Sequence, residues 1–206
     1  MLNNPSLPTG AFNQITNGGF ETGGLQGWQV NPSSPPTVES TTVQNGTFAA
    51  RFQTTGNGQT LTQCTTKALQ CSHLNSSTIS QEVALASVSN GTLLSIAVNP
   101  QFQPPSVFQI TLSWSSPNAT IYYLLTASSE QCTSYSHLLT GTASNESAYC
   151  LSPQQGTWTF LTRNVAVDLP PATSRSALAG STVSLSMSFA GGNSTDFVYV
   201  DSVDFG

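Results

Sequence analysis

Hydrophobic residues in this chain recur at every second position, and that period limits what it can fold into. Phe108, Ile110, Leu112 and Trp114 alternate with Gln109, Thr111 and Ser113. Val183, Leu185, Met187 and Phe189 alternate with Ser184, Ser186 and Ser188, and Leu94, Ile96 and Val98 repeat the pattern over a shorter stretch. Successive strand side chains point to opposite faces, so each stretch predicts a strand with one face on a core and the other in water. No dozen residues hold a 3.6-residue period. Residues 80–87, the best helical candidate, read equally well as a strand. Turn signals punctuate the strands at Asn17-Gly18-Gly19, Asn45-Gly46, Asn57-Gly58, Asn90-Gly91 and Gly191-Gly192-Asn193. Many short strands separated in this way predict an all-β sandwich of the jelly-roll type. The 206 residues suffice for one domain, assigned to residues 15–206. Residues 1–14, with Pro5 and Pro8, read as an extended N-terminal arm. Residues 54–78 and 127–157 break the alternation, hold the cysteines, and read as long surface loops.

Charge is scarce. Lys and Arg number 4, Asp and Glu 9, and charged residues make up 6% of the chain, whereas Ser, Thr, Asn and Gln together make up 86 of its 206 residues. The exterior is therefore built from hydroxyls and amides. A nucleic-acid footprint cannot be assembled from Lys67, Arg51, Arg163 and Arg175 scattered along an acidic chain, and neither can a polybasic membrane patch. No apolar run reaches the roughly 18 residues needed to span a bilayer, so membrane insertion is not expected. The N-terminal stretch lacks the basic and apolar regions of a signal peptide. Either a signal was removed or the chain reaches its place without one, as a virion protein does.

Cys64, Cys71, Cys132 and Cys150 allow three disulfide pairings. Nearest-neighbour pairing, Cys64 with Cys71 and Cys132 with Cys150, would staple the two polar loops, and disulfides suit an extracellular or cell-surface protein. Asn45, Asn75, Asn90, Asn118, Asn145 and Asn193 each open an N-glycosylation sequon.

Signatures of catalysis are absent. The sequence has no G-x-S-x-G elbow, no H-E-x-x-H, no P-loop and no Rossmann glycine pattern. Cys64, Cys71, His73 and His137 fit no common zinc spacing. A non-catalytic binding role remains. Binding a glycan needs exposed rings, whose faces stack on sugar C–H groups, beside side chains that hydrogen-bond in both directions. Phe108 and Trp114 share a face with Ile110 and Leu112 and belong to the core. Tyr122 and Tyr123 are adjacent, so one of them must leave the core. Phe102 lies between Gln101 and Gln103 in a Pro-rich turn and is a candidate exposed ring. Gln109, Thr111 and Ser113 form a polar stripe.

The motif Asn17-Gly18-Gly19-Phe20-Glu21-Thr22-Gly23, followed by Gly27-Trp28-Gln29-Val30, resembles the opening of the jelly-roll carbohydrate-binding modules attached to cellulases and xylanases. The closing Phe197-Val198-Tyr199-Val200-Asp201-Ser202-Val203-Asp204-Phe205 resembles the same family's last strand. Asn45 to Phe52, Ile79 to Val83 with Gly91 to Ile96, and Trp158 ahead of a final hairpin resemble its intervening signatures, in the same order. The resemblance implies adjacent opening and closing strands and a structural calcium at their edge. Carried over residue by residue, the implied ligands are the Asp201 carboxylate, the Gly19 and Gly46 carbonyls, and Glu21. Oxygen donors of this kind suit calcium. The function implied is binding of a polysaccharide or surface glycan. The rival is a structural subunit of a filament, sheath or virion, self-assembled by donating the arm to a neighbour's sheet edge.

Overall fold

The computed structural model describes residues 14–54, 76–134 and 144–206. The alternating stretches are strands of two stacked antiparallel-rich sheets. The chain runs β1 (Gln29–Val30), β2 (Thr37–Glu39), β3 (Ala49–Gln53), β4 (Ser77–Ala84), β5 (Leu93–Gln101), β6 (Val107–Ser115) and β7 (Asn118–Thr126). Helix α1 (Ser129–Ser134), β8 (Glu146–Leu151), β9 (Thr159–Asn164) and α2 (Val165–Asp168) follow. A 3-10 turn (Arg175–Leu178), β10 (Thr182–Ala190) and β11 (Phe197–Phe205) complete it. The six-stranded sheet has the order β1-β4-β10-β6-β7-β8, and the five-stranded sheet β2-β3-β11-β5-β9.

Residues 80–84 belong to strand β4, from which Ile79 and Val83 face the core, while residues 85–87 lie outside both strand and helix. The second interruption is not all loop. Residues 146–151 form β8, which lies parallel to β7, with α1 in the crossover that a parallel pair requires. The expected middle pair divides between layers, β4 in one sheet and β5 in the other.

One side-chain cluster fills the space between the sheets. Phe52, Val98, Val198 and Val200 come from the five-stranded sheet, and Phe108, Ile110, Leu112, Leu185, Met187 and Phe189 from the six-stranded one. Each such side chain contributes about 1.5–3 kcal/mol through burial.

The opening segment runs beside the last strand, as the resemblance implied. Val203 donates its N–H to the Gly18 carbonyl (3.0 Å), and Gln14 donates to the Phe205 carbonyl (3.0 Å). Gly18 permits this approach, since a Cβ there would overlap the Val203 carbonyl. Phe20 sits in a turn at φ +57°, not in a strand, and its ring stacks on Trp28 in the core at 5.9 Å. Gln14 is thus tied to the domain; the rest of the expected arm, residues 1–13, lies outside the described residues. So do Cys64, Cys71, Asn75, His73, His137 and Lys67.

Candidate functional site

β11 explains how this fold presents two faces from one strand. Val198 and Val200 point into the core, so Phe197 and Tyr199 point out of the sheet. A bulge between Asp201 and Asp204, with Ser202 at φ +51°, inserts one residue and returns Val203 and Phe205 to the core. Register carries the outward face across the sheet. Thr37 of β2 opposes Arg51 of β3, Arg51 opposes Tyr199, and Tyr199 opposes Asn99 of β5. Neighbouring strands are spaced about 4.8 Å apart, so these four residues form one row across the layer. Glu39 lies two residues beyond Thr37 on the same face. Gln53 and Gln101 flank Phe197, and Phe160 of β9 opposes Ala97.

The row is aromatic and polar together. Trp158 lies 6.4 Å from Tyr199, Phe197 meets Tyr199 edge-on at 5.3 Å, and the Arg51 guanidinium lies 4.2 Å over the Phe197 ring. Trp158, Phe160, Phe197, Arg51, Gln53 and Glu39 are half-buried. Burial raises the Tyr199 phenol pKa, as does a hydrogen bond with Glu39; a hydrogen bond with Thr42 opposes the rise. Among the described residues, six buried side-chain polar atoms lack a hydrogen-bond partner. Three of them, Glu39 Oε1, Arg51 Nε and Asn99 Oδ1, lie on this face. A fourth, Gln155 Nε2, belongs to a side chain at its margin whose Oε1 accepts from the Phe102 N–H at 2.9 Å. A buried polar group without a partner costs about 1–3 kcal/mol, so the three beneath this face are a local cost of its packing, closed off from solvent.

The residues expected to bind sugar lie elsewhere. Phe102 is 1% exposed and packs on Phe189 at 5.5 Å, because its segment folds inward before the Pro104-Pro105 turn. Tyr123 is fully buried between the sheets and donates to Asp168 Oδ2 at 3.0 Å. Neither ring can stack on a ligand. Tyr122 does leave the inter-sheet core, as parity required, but lies 6% exposed against Val107 and Leu124 on the outer side of the six-stranded sheet. Gln109 is on that same side and donates to Thr111 Oγ1 at 2.9 Å. None of the four touches the aromatic row.

Asp201 and Glu21 stand at one corner, near enough for the Glu21 charge to act on Asp201. Asp201, on the outward side of β11, is fully buried under residues 44–48. Its Oδ2 accepts from the N–H groups of Gln44 (3.1 Å) and Asn45 (3.0 Å), and its Oδ1 from Ser202 (2.7 Å). Both Glu21 oxygens accept from the Thr47 N–H at 3.0 Å, and Oε1 also from Phe48 at 3.2 Å. Gly46 has φ +74°, and a Cβ there would overlap the Glu21 carboxylate; a Cβ on Gly19 would lie 3.7 Å from Asp201 Oδ1. Glycine is thus required at Gly46 on both counts. Burial raises the Asp201 pKa and the Glu21 charge adds to it, while the three N–H bonds oppose it. Two carboxylates share a corner whose bonds come from backbone N–H groups. Among the described residues no group of three or more His, Cys, Asp or Glu is placed to hold a metal. The corner fits a hard cation only if backbone oxygens complete the shell, and Asp201 Oδ1, with one N–H bond, retains a lone pair for it.

Cys132 and Cys150 form a disulfide that ties α1 to β8. Of the sequons within the described residues, Asn45, Asn90, Asn118 and Asn193 are exposed and Asn145 is half-buried.

No protein-family model matches the chain, and no curated protein sequence matches it. Solved structures do. The structure of TmCBM61 in complex with β-1,4-galactotriose aligns with a TM-score of 0.54 at 13% identity, over 95% of this chain and 99% of that one. A carbohydrate-binding module from the β-sandwich superfamily, described for promiscuous specificity, aligns at 0.51 and 12% identity, over 95% of this chain and 63% of that one. The enzymatically active domain of bacteriophage CBA120 tailspike protein 4 aligns at 0.50 and 8% identity, over 94% of this chain but only 21% of that one. At such identities the likeness is one of fold. The chain is a jelly-roll β-sandwich of the architecture used by carbohydrate-binding modules.

Proposed function

We propose that this chain is a non-catalytic carbohydrate-binding domain, working outside the cell or at its surface, that holds a polysaccharide or surface glycan on the outer face of the five-stranded sheet. The observation that carries this reading is the set of half-buried rings, Trp158, Phe160 and Phe197, beside the half-buried Arg51, Gln53 and Glu39 on one sheet face. A sugar hydroxyl both donates and accepts, so one ligand class suits the amide, carboxylate and guanidinium groups beside those rings. Trp158 and Phe197 give it an apolar surface, with the buried Tyr199 packed between them. The fold alone would not license this step, because unrelated functions share folds; the residues on the face support it. Affinity electrophoresis through gels containing soluble polysaccharides tests it. Retardation by at least one polymer, lost in Trp158→Ala, is expected. Free migration in every gel would contradict the reading.

The acidic corner is proposed to hold a structural calcium, with Asp201 and Glu21 as its side-chain ligands and the Gly19 and Gly46 carbonyls as implied backbone ligands. The ion would neutralise two neighbouring carboxylates and fasten residues 44–48 to β11. A calorimetric melt with and without a chelator checks it. A lower melting temperature after chelation, restored by calcium, is expected. An unchanged melt would leave the N–H bonds as the whole clasp.

A further inference from the structure

We propose that Ser106 and Asp196 are positioning residues for the glycan face: their buried hydrogen bond fixes the hairpin between β10 and β11 and so holds the Phe197 ring ready for the ligand. The inference rests on the binding reading above and adds how that face is kept in order.

The hairpin, residues 191–196, carries the chain from the six-stranded sheet to the five-stranded one, and Phe197 opens β11 directly behind Asp196. Ser106 makes the opposite crossing, just ahead of β6. Ser106 is fully buried and Asp196 is 5% exposed. The Ser106 hydroxyl donates to Asp196 Oδ2 at 2.5 Å and accepts from the Gly192 N–H at 2.7 Å, so one side chain grips the hairpin at two points. Gln131 of α1 backs it, donating from Nε2 to the Ser106 carbonyl at 3.0 Å while its Oε1 accepts from the Ala127 N–H at 2.9 Å. Packing leaves the tip no slack. A Cβ on Gly191 would lie 2.5 Å from Thr54 Oγ1, and one on Gly192 2.8 Å from Pro105 Cδ.

A carboxylate is costly to bury, and the ion pair among the described residues is Arg163 with Asp168, so Asp196 is held by hydrogen bonding instead. A hydroxyl-to-carboxylate bond is shorter and roughly twice as strong as a neutral one. Its effect is stiffness at the residue before the ring. From the hairpin that order passes to the face in two ways. Phe197 lies beneath the Arg51 guanidinium at 4.2 Å and edge-on to Tyr199 at 5.3 Å. Gln53, which opposes Phe197, donates from Nε2 to the Ser194 carbonyl at 2.5 Å. A ring and an amide already held in the unliganded protein need not be ordered when a sugar arrives, and affinity gains accordingly.

Ser106→Ala and Asp196→Ala remove the bond, whereas Asp196→Asn keeps an acceptor for the hydroxyl. Two readouts follow each variant, with its melt as a control. One is retardation in gels carrying neutral β-1,4-galactan or xylan. The other is the Arg51 Nε–H resonance, which the Phe197 ring current displaces upfield. Both alanine variants should weaken retardation about tenfold, the cost of ordering one or two side chains on binding. They should also move the Arg51 resonance towards its unshifted position, while the indole signals of the core residues Trp28 and Trp114 stay in place. Asp196→Asn should recover most of both effects. A local loss above an intact core, recovered by asparagine, is not what general destabilisation gives. Should the alanine variants not fold, Gln131→Ala, which frees only the Ser106 carbonyl, should show the same local loss in smaller measure. Unchanged retardation in the folded variants would overturn the proposal, whether or not the resonance moves. So would an asparagine variant as weak as Asp196→Ala. Free migration of the wild type in both gels, with the resonance still responding to Asp196→Ala, would remove the binding reading and the glycan role with it, and leave only the link's hold on the ring.

Discussion

Tyr199 joins the two chemistries of the proposed site. Its ring meets Phe197 and Trp158, and its hydroxyl engages Glu39 and Thr42. Replacing Trp158 by alanine removes the ring beside it and should weaken glycan binding by about 2 kcal/mol, roughly thirtyfold, as truncating a central aromatic anchor does; titration calorimetry with a bound oligosaccharide measures it. Titration of the phenols themselves has a calculable sign. Burial pushes the Tyr122 pKa from its usual 10.0 to about 12, with the Glu146 charge adding, and burial shifts Tyr123, Tyr149 and Tyr199 in the same direction. A group whose folded-state pKa is raised contributes stability that is complete below its unfolded value. For Tyr122 that contribution is lost as pH rises from about 10 through about 12. Phenolate absorbance of the folded protein should therefore lag behind that of the denaturant-unfolded chain over this range. Superimposed curves would contradict the burial of these rings.

Single elements decide how the two sheets are held in position. At one edge of the sandwich, Asp168 at the end of α2 receives Arg163 of β9 through two bonds, at 2.7 and 2.8 Å. It also accepts from the Tyr123 hydroxyl of β7 at 3.0 Å, so that one carboxylate links both layers. Arg163 lies 4.7 Å over the Tyr149 ring of β8. Asp168→Asn strips the charge from this link and should cost about 2 kcal/mol. That is less than a fully buried pair costs, because the Arg163 side chain is 29% exposed. Chemical denaturation would show it as a lower midpoint at unchanged slope. The disulfide closes a loop of 18 residues, and replacing Cys132 and Cys150 together by serine should cost about 3 kcal/mol in the same experiment.

The elements were also where the sequence was most readable. Alternation located β6 and β10, and parity put Phe108 and Trp114 in the core and required one of Tyr122 and Tyr123 to leave it; the structure shows that Tyr122 does. The acidic corner was legible only through resemblance, because its partners are backbone N–H groups that carry no sequence signal. The aromatic face had a signal that went unused. In Phe197-Val198-Tyr199-Val200 the valines and the aromatics occupy opposite parities, and both cannot face one core. Trp158, Arg51, Glu39 and Asn99 join that face only through cross-strand register, which separates into distant sequence positions what the sheet brings together. Phe102 misled because a ring between glutamines beside prolines reads as exposed until the chain's inward turn is seen.

At the scale of the molecule, the sandwich assigns different work to its two outer sides. The six-stranded sheet turns outward hydroxyls that bond to one another, such as Thr78 with Ser188 at 3.0 Å, and an apolar patch of Val107, Tyr122 and Leu124 that is already buried. The five-stranded sheet turns outward half-buried rings beside half-buried polar side chains. A charge-poor exterior suits this division, since a neutral ligand meets little competing field. The three tryptophans report on it independently, because Trp28 and Trp114 are in the core and Trp158 is half-buried on the proposed face. The indole N–H resonances, followed by NMR while a soluble oligosaccharide from a retarding polymer is added, therefore test the location of the site directly. The Trp158 signal should move in proportion to occupancy while those of Trp28 and Trp114 stay in place. Saturable sugar binding that leaves the Trp158 signal unmoved would contradict the assignment of this face.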